Sequence, residues 1–147
     1  MQNYSKIKII NRIIDANLNR TKEGLRVLEE ISRFVLNNRD LTAGFKKIRH
    51  KIDATLELLP PKKNLLKERE SLKDIGFDIC VNELKRKNIT DIYFANLQRI
   101  KESVRVLEEF SKLINPDCAL RFKKIRYALY DIEKKAAGKI ASLSNLR

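Results

Sequence analysis

The stretch that decides the fold is residues 15–34, Asp15-Ala-Asn-Leu-Asn-Arg-Thr-Lys-Glu-Gly-Leu-Arg-Val-Leu-Glu-Glu-Ile-Ser-Arg-Phe34. It recurs 79 positions later as Phe94-Ala-Asn-Leu-Gln-Arg-Ile-Lys-Glu-Ser-Val-Arg-Val-Leu-Glu-Glu-Phe-Ser-Lys-Leu113, with more than half of the aligned positions identical. Phe45-Lys-Lys-Ile-Arg49 likewise returns as Phe122-Lys-Lys-Ile-Arg126. One unit is therefore a long helix, a short turn and a second helix, present twice. We predict an all-α fold in which this duplicated long helical hairpin forms a pseudo-symmetric helix bundle.

Apolar residues recur at steps of three and four within each predicted helix, which is the spacing of one helix face. Asp40 is the predicted N-cap of the second helix, and Pro60-Pro61 ends that helix. The paired glutamates at 29–30 and 108–109 fall on the solvated side. The predicted core residues of the first two helices are Leu18, Leu25, Val27, Leu28, Ile31, Phe34, Val35, Leu41, Phe45, Ile48, Ile52, Leu56 and Leu59.

The chain is expected to form a single helical domain over residues 1–147. The first repeat covers about 9–59 and the second about 90–137. Between them, residues 60–89 contain Pro60, Pro61 and Gly76 and are predicted as a loop with a short helix from about Ile79 to Lys87. The tail after Gly138 is predicted to fray.

Composition limits the classes of function. The net charge is +13, from 32 Lys and Arg against 19 Asp and Glu. Such a charge favours anionic partners, although compositional bias toward lysine explains it equally well. Cys80 and Cys118 form no disulfide framework and are predicted to be free thiols. No apolar run reaches the roughly 20 residues of a membrane span and no signal peptide is recognisable, so a cytoplasmic protein without membrane contact is expected.

Polar residues that interrupt the apolar face are the best indicators of a site. Asn17 and Arg20 lie inside the apolar arc of the first helix beside Gly24, which is expected to leave free space. Their counterparts are Asn96 and Arg99. A buried guanidinium requires a carboxylate or a bound anion, so these arginines either form structural ion pairs or bind phosphate. The residues of this argument are the arginines Arg20, Arg49, Arg99 and Arg126, with Glu23, Glu30, Glu102 and Glu109 as the alternative ion-pair partners.

Two further candidates come from elsewhere in the chain. His50 follows Arg49 and either reaches a phosphate from the edge of the site or lies on the surface. The middle loop, Arg69-Glu-Ser-Leu-Lys-Asp74-Ile-Gly76, either closes over a ligand or is an ordinary solvated linker. No zinc-ligand spacing, GxxxxGK[ST] or GxGxxG motif occurs.

These motifs, in this order, resemble one family. The motifs are, in chain order, Asp15-Ala-Asn-Leu-Asn-Arg, Arg26-Val-Leu-Glu-Glu30, Ile48-Arg49-His50, Asp74-Ile-Gly76, and the second copy through Lys124-Ile-Arg-Tyr127. They are similar to those of a helical domain at the N-terminus of long thiamine-phosphate synthases, which also occurs as a separate protein. The resemblance covers roughly residues 9–135. It implies an atypical hydroxymethylpyrimidine phosphate kinase, which converts its substrate to the diphosphate with ATP and Mg²⁺ in thiamine biosynthesis.

The resemblance also implies roles for the candidate residues. The phosphates and the pyrimidine would be bound by Asn17, Arg20, Arg49, His50, Asn96, Arg99 and Arg126. Arg69 and Asp74 would be catalytic, and Glu23 and Glu102 would hold Mg²⁺. A separate thiamine-phosphate synthase is the expected protein partner, and a homo-oligomer is left open.

The alternative functions are a module that binds phosphorylated pyrimidine or docks on the synthase without catalysis, and a basic helical nucleic-acid-binding protein. Inward-pointing arginines argue against nucleic acid as the partner.

Overall fold

The structure, a computed structural model, describes residues 2–78 and 84–145 of the 147-residue chain. It contains five α-helices in the described residues: α1 (Gln2–Glu30), α2 (Arg39–Leu56), α3 (Lys62–Lys67), α4 (Ile89–Ser111) and α5 (Pro116–Ala141). Shorter helical turns cover Ile31–Val35, Ser71–Lys73 and Ser142–Asn145, and no strand occurs in these residues. The predicted all-α bundle is confirmed.

The two hairpins α1–α2 and α4–α5 form the four-helix core. Helix α1 packs against α2 and α4, and α5 packs against α4 and α2, so each long helix has two neighbours. Phe45 and its duplicate Phe122 are both completely buried, as are Leu25 and its duplicate Val104 on the two long first helices. Equivalent residues of the two copies therefore build one shared core, as the pseudo-symmetry predicts.

The junction of α1 and α2 differs from the predicted continuous arc. Residues Ile31–Val35 form a π-helix, in which the Leu36 amide donates to the Ile31 carbonyl at 3.0 Å. Phe34 is 66% exposed instead of buried, because at 100° per residue it lies 120° from buried Leu28 and only 20° from exposed Glu23. Asn37 then adopts a left-handed backbone with φ of 46°, a conformation that asparagine tolerates better than most residues.

Helix α2 is capped by a residue other than the predicted one. The Asn38 side chain accepts a hydrogen bond from the Leu41 amide at 2.9 Å, which makes Asn38 the N-cap and puts Asp40 in the first turn. Asparagine caps a helix as well as aspartate does, so residue type alone could not separate the two. The carboxylate of Asp40 still benefits from the positive end of the helix dipole.

The segment between the hairpins also departs from prediction. A short helix, α3, begins directly after Pro60-Pro61 and buries Leu65, where a loop is predicted. The predicted helix at about 79–87 lies largely outside the described residues, and residues 85–87 are not helical. The predicted fraying after Gly138 is wrong, because α5 continues to Ala141 and Ile140 is completely buried. No helix of the described residues is long and apolar enough to cross a membrane.

Candidate functional site

A cavity lined by several of the residues predicted from sequence lies between α1 and the loop that follows α3, and we call it the α1–loop cavity. Its volume is about 260 Å³, and its polar lining consists of Arg12, Asn17 and Arg20 from α1 and Asp74 from the loop. Ile9, Ile13 and Ala16 supply the apolar lining. The α1 residues are mostly three and four positions apart, which places them on one face of the helix. Three residues predicted from sequence, Asn17, Arg20 and Asp74, thus meet here.

A bidentate ion pair attaches the loop to α1. Arg69 donates from Nε to Asp15 Oδ2 at 2.7 Å and from Nη2 to Asp15 Oδ1 at 2.9 Å. The hydrogen bonds to Asp15 and the negative charges of Asp15 and Glu23 raise the pKa of Arg69. Lys8 lies 3.9 Å from Glu68 and continues the contact along α1. The predicted catalytic residue Arg69 is therefore engaged by α1.

Asp15 is the site residue that the sequence reasoning missed. Its side chain is nearly buried, and it fixes the position of Arg69. The signal was available in the repeat, because the second copy carries Phe94 where the first copy carries Asp15. A carboxylate present in only one copy indicates a contact that only that copy makes.

Asn17 positions Arg20 at the cavity. The Asn17 amide nitrogen donates to the Ile13 carbonyl at 2.8 Å, and its oxygen accepts from Arg20 Nη1 at 3.4 Å. Asn17 is buried as predicted, whereas Arg20 is exposed. The predicted inward position of Arg20 is wrong, because the long arginine stem can lie on an apolar face while its guanidinium reaches solvent.

The counterparts on α4 do not join this cavity. The Asn96 amide nitrogen donates to the Ile92 carbonyl at 2.8 Å, and Arg99 is exposed, so its predicted inward position is also wrong. A Cβ atom on Gly24 would lie 3.4 Å from the Asn96 carbonyl oxygen, which puts Asn96 opposite Gly24. Asn17 precedes Gly24 by seven residues, about 10 Å along the helix. The two Asn–Arg pairs therefore occupy separate places, and the α1–loop cavity is lined by Arg20 alone of the four arginines predicted to bind phosphate.

The free space predicted at Gly24 is absent. A Cβ atom there would lie 2.6 Å from Ile100 Cγ1, so Ile100 of α4 fills the position. Next to it, Thr21 Oγ1 and Ser103 Oγ form a buried hydrogen bond at 2.7 Å. Glycine at this position permits close packing of α1 on α4 and contributes no cavity.

Arg49 and Arg126 form structural ion pairs with residues that were predicted to be solvated. Arg49 Nε lies 3.1 Å from Glu29 Oε2, and Arg126 Nε lies 2.8 Å from Glu108 Oε2. Glu29 and Glu108 are buried, which corrects their predicted surface position. The partners are not Glu30 and Glu109 because the helix rotates each following glutamate by 100°, out of reach of the neighbouring helix.

The second pair makes more hydrogen bonds than the first, because Arg126 donates to both carboxylate oxygens of Glu108 and Arg49 donates to only one of Glu29. Burial alone would raise the pKa of Glu108, but hydrogen bonds from Arg126 and the positive charges of Arg126 and Arg105 outweigh burial and lower it. Arg126 also donates from Nη1 to the Tyr130 hydroxyl at 3.1 Å. The hydrogen bonds to Glu108 and Tyr130 raise the pKa of Arg126. Its donors are thus used within the protein.

The remaining predicted residues lie on the surface. His50 is exposed and borders a shallow depression beside Lys46, Lys47 and Lys51 of α2, away from the α1–loop cavity. Glu23 is exposed, and so is Glu102, which accepts a hydrogen bond from Gln98 at 3.0 Å. Among residues 2–78 and 84–145, no three His, Cys, Asp or Glu side chains group so that they could hold a metal ion. The predicted ligand roles of Glu23 and Glu102 stay predictions.

Comparisons with known proteins establish the family. The model of the ThiD2 family matches residues 12–135, and the chain belongs to this family. A thiamine-phosphate synthase of Nostoc punctiforme is 37% identical over 134 residues, which cover 89% of this chain and 36% of that protein. The thiamine-phosphate synthase of a Synechocystis species is 38% identical over 132 residues, which cover 88% of this chain and 36% of that protein. No solved structure matches the chain.

These relatives support the link to thiamine biosynthesis and correct the enzyme class. The chain spans 36% of the length of these relatives. The predicted kinase is contradicted by their name, since thiamine-phosphate synthase denotes a transferase that is not a kinase. The predicted relation to long thiamine-phosphate synthases is confirmed.

Proposed function

We propose that this chain binds a small phosphorylated ligand, a pyrimidine phosphate, in the α1–loop cavity and serves a thiamine-phosphate synthase in thiamine biosynthesis. The observation that carries the proposal is the convergence of Arg12, Asn17 and Arg20 with Asp74 around one cavity of about 260 Å³. The thiamine-phosphate synthases among its relatives support the pathway, and the motif resemblance supports the pyrimidine.

The lining of the cavity suits such a ligand at both ends. Neither Arg12 nor Arg20 has a carboxylate within 4 Å in the described part of the chain, so both guanidinium groups are available for phosphate oxygens. The planar fork of arginine binds two oxygens at once, which favours phosphate over a simple anion. Ile9 and Ile13 offer apolar contact for a flat ring, as pocket linings commonly do. Asp74 can accept a hydrogen bond from an amino or hydroxyl group on that ring.

Isothermal titration calorimetry tests the proposal with hydroxymethylpyrimidine phosphate, its unphosphorylated alcohol and inorganic phosphate. We expect the phosphorylated pyrimidine to bind more tightly than either of the other two. Arg20→Met should weaken its binding about tenfold or more, as expected for a lost charge-assisted hydrogen bond. Arg99→Met is the matched control, because Arg99 is the duplicate of Arg20 and lies outside the cavity.

Two results would contradict the proposal, and a third would extend it. Equal losses in the Arg20 and Arg99 variants would remove the cavity as the site. Equal affinity for the unphosphorylated alcohol would remove the role of phosphate. Formation of the pyrimidine diphosphate in the presence of Mg²⁺ and ATP would show that binding is not the whole function.

A second candidate function, docking on a thiamine-phosphate synthase, is favoured by the exposed apolar residues of the loop. Leu72 is 83% exposed, Ile75 is 100% exposed and Phe77 is 63% exposed. Contiguous exposed apolar side chains commonly mark protein interfaces.

Sedimentation velocity with a separately purified synthase tests this function. The complex should form with the unaltered chain and weaken when Ile75 and Phe77 are both replaced by serine. Absence of a complex at micromolar concentrations would exclude docking in that range.

A further inference from the structure

A groove lies between α2 and α5, the second helices of the two hairpins, and we call it the α2–α5 groove. Its volume is about 520 Å³. Its floor is apolar and includes Leu41, Ile48, Ala128 and Ile132. No residue predicted from sequence as a site residue lines it, and its lining shares nothing with the α1–loop cavity.

Four lysines border the groove: Lys47 and Lys51 from α2, and Lys135 and Lys139 from α5. All four are exposed. Lys135 lies 2.8 Å from Asp131, whereas the other three have no carboxylate within 4 Å among the described residues. Asp40 is the remaining acidic residue of the lining. The groove therefore carries a positive charge that the neighbouring carboxylates leave largely uncompensated.

The packing of α2 on α5 fixes where these lysines lie along the groove. Gly44 and Ile132 are in register, since a Cβ atom on Gly44 would lie 2.7 Å from Ile132 Cδ1. Thr55, which follows Gly44 on α2, contacts Cys118, which precedes Ile132 on α5, through its carbonyl oxygen. The two helices therefore run antiparallel. Residues that follow Gly44 and residues that follow Ile132 therefore extend in opposite directions along the groove.

This arrangement sets the spacing of the charges. Lys47 and Lys135 each lie three residues beyond the Gly44–Ile132 contact, in opposite directions, and are about 9 Å apart along the groove at 1.5 Å per residue. Lys51 and Lys139 each lie seven residues beyond it and are about 21 Å apart. The cations thus lie toward both ends of the groove, with the apolar floor between them.

We infer that the α2–α5 groove binds an acidic amphipathic helix of a partner protein. A helical segment of about four turns covers the distance between the outer lysines. Carboxylates spaced four, six and four residues apart on that segment would match the spacing of the four lysines along the groove. Apolar side chains on the same face would pack on Ala128 and on the methylene chains of the bordering lysines, above the nearly buried Ile48 and Ile132. A short phosphate ester is too small to reach both ends, and a nucleic acid backbone has no use for the apolar floor.

A designed peptide tests the inference with the full chain. The probe is a fluorescein-labelled helical peptide of about 15 residues, with glutamates in that spacing and leucines on the same face. The first control peptide has the same composition, but its leucines lie on the opposite face. Fluorescence anisotropy should show at least tenfold tighter binding of the probe than of the control.

Charge reversal in the protein provides the matched comparison. The double variant Lys51→Glu/Lys139→Glu changes the outer lysines of the groove, and Lys63→Glu/Lys123→Glu makes the same change of net charge at exposed lysines outside it. The first variant should weaken probe binding at least tenfold, and the second less than threefold. Circular dichroism establishes that both variants are folded.

Three outcomes overturn the inference. Equal affinity for the probe and the control peptide would mean that the apolar floor is not used. Equal losses in the two double variants would mean that only the net charge of the chain attracts the peptide. Displacement of the probe by duplex DNA at lower concentration than by unlabelled probe would assign the lysines to nucleic acid.

Discussion

Replacement of glycine by alanine at three helical positions should separate close packing from helix propensity. At Gly24, the new Cβ atom would lie 2.6 Å from Ile100 Cγ1 and 3.1 Å from Ile100 Cδ1. Ile100 is completely buried, so its branched side chain cannot move without displacing other core residues. At Gly138, no atom lies within 4 Å of the new Cβ atom. Gly44 is the intermediate case, since its Cβ atom would lie 2.7 Å from the terminal methyl group of Ile132.

The magnitudes follow from two opposing effects. Alanine stabilises a helix interior by about 1 kcal/mol relative to glycine. Overpacking a core costs about 1–3 kcal/mol, which should make Gly24→Ala destabilising by up to about 2 kcal/mol. Gly138→Ala should gain up to about 1 kcal/mol, reduced by its position near the end of α5. Rotating a terminal methyl group away costs about 0.5–1.5 kcal/mol, so Gly44→Ala should be close to neutral.

Urea unfolding followed by circular dichroism at 222 nm measures all three variants. The free energy of unfolding should rank Gly138→Ala above Gly44→Ala, and Gly44→Ala above Gly24→Ala, with unchanged slopes against urea. In thermal unfolding, each 1 kcal/mol corresponds to about 2–4 °C for a chain of this size. If Gly24→Ala were as stable as Gly138→Ala, α1 and α4 would not pack as closely as the structure shows, and the reasoning would be refuted.

Three further predictions concern buried polar groups. The Tyr93 hydroxyl is buried without a hydrogen-bond partner among the described residues. Tyr93→Phe should therefore leave the free energy of unfolding unchanged or raise it by about 1 kcal/mol in the same urea assay, and a large loss would contradict the burial. Glu108→Gln should destabilise by about 1–3 kcal/mol, because it leaves the Arg126 guanidinium without its carboxylate. Since the pKa of Glu108 is lowered on folding, this difference should be fully present above the ordinary glutamate pKa of about 4.5. It should be lost as the pH falls through the lower pKa that Glu108 has in the folded chain. A difference that grew on acidification would contradict this assignment. Burial raises the pKa of the Cys118 thiol, so in a Cys80→Ser background Ellman's reagent should label Cys118 only when urea unfolds the chain, and rapid labelling without urea would be the contrary result.

The sequence predicted the fold well because helix periodicity and duplication report the same feature, an apolar face on each long helix. Leu25, Leu28 and Phe45 are buried as predicted. The failures occur where a local rule has more than one solution. Phe34 was included in the apolar arc, but that arc is wider than the buried face, and Phe34 lies only 20° from exposed Glu23.

The site was harder to predict because helical angle fixes the direction of a side chain at Cβ and not at its end. Arg20 and Arg49 both begin on the apolar side, yet Arg20 reaches solvent and Arg49 meets Glu29. A neighbouring helix supplies the partner for Arg49, and its identity depends on how the helices are rotated against each other. Asn17 was located correctly because a short side chain stays near its backbone position.

The duplication itself separates structural residues from site residues. Both copies keep the same arginine–glutamate ion pair, Arg49 with Glu29 and Arg126 with Glu108, and in both copies it joins the two helices of a hairpin. A contact that each copy makes equally serves the common fold. The segment that links the two hairpins is not part of the repeat. It attaches to α1 through Asp15, a residue that the second copy replaces by Phe94. The α1–loop cavity is therefore a property of the first copy alone, which is why Arg20 and Arg99, identical in the repeat, are expected to differ in function.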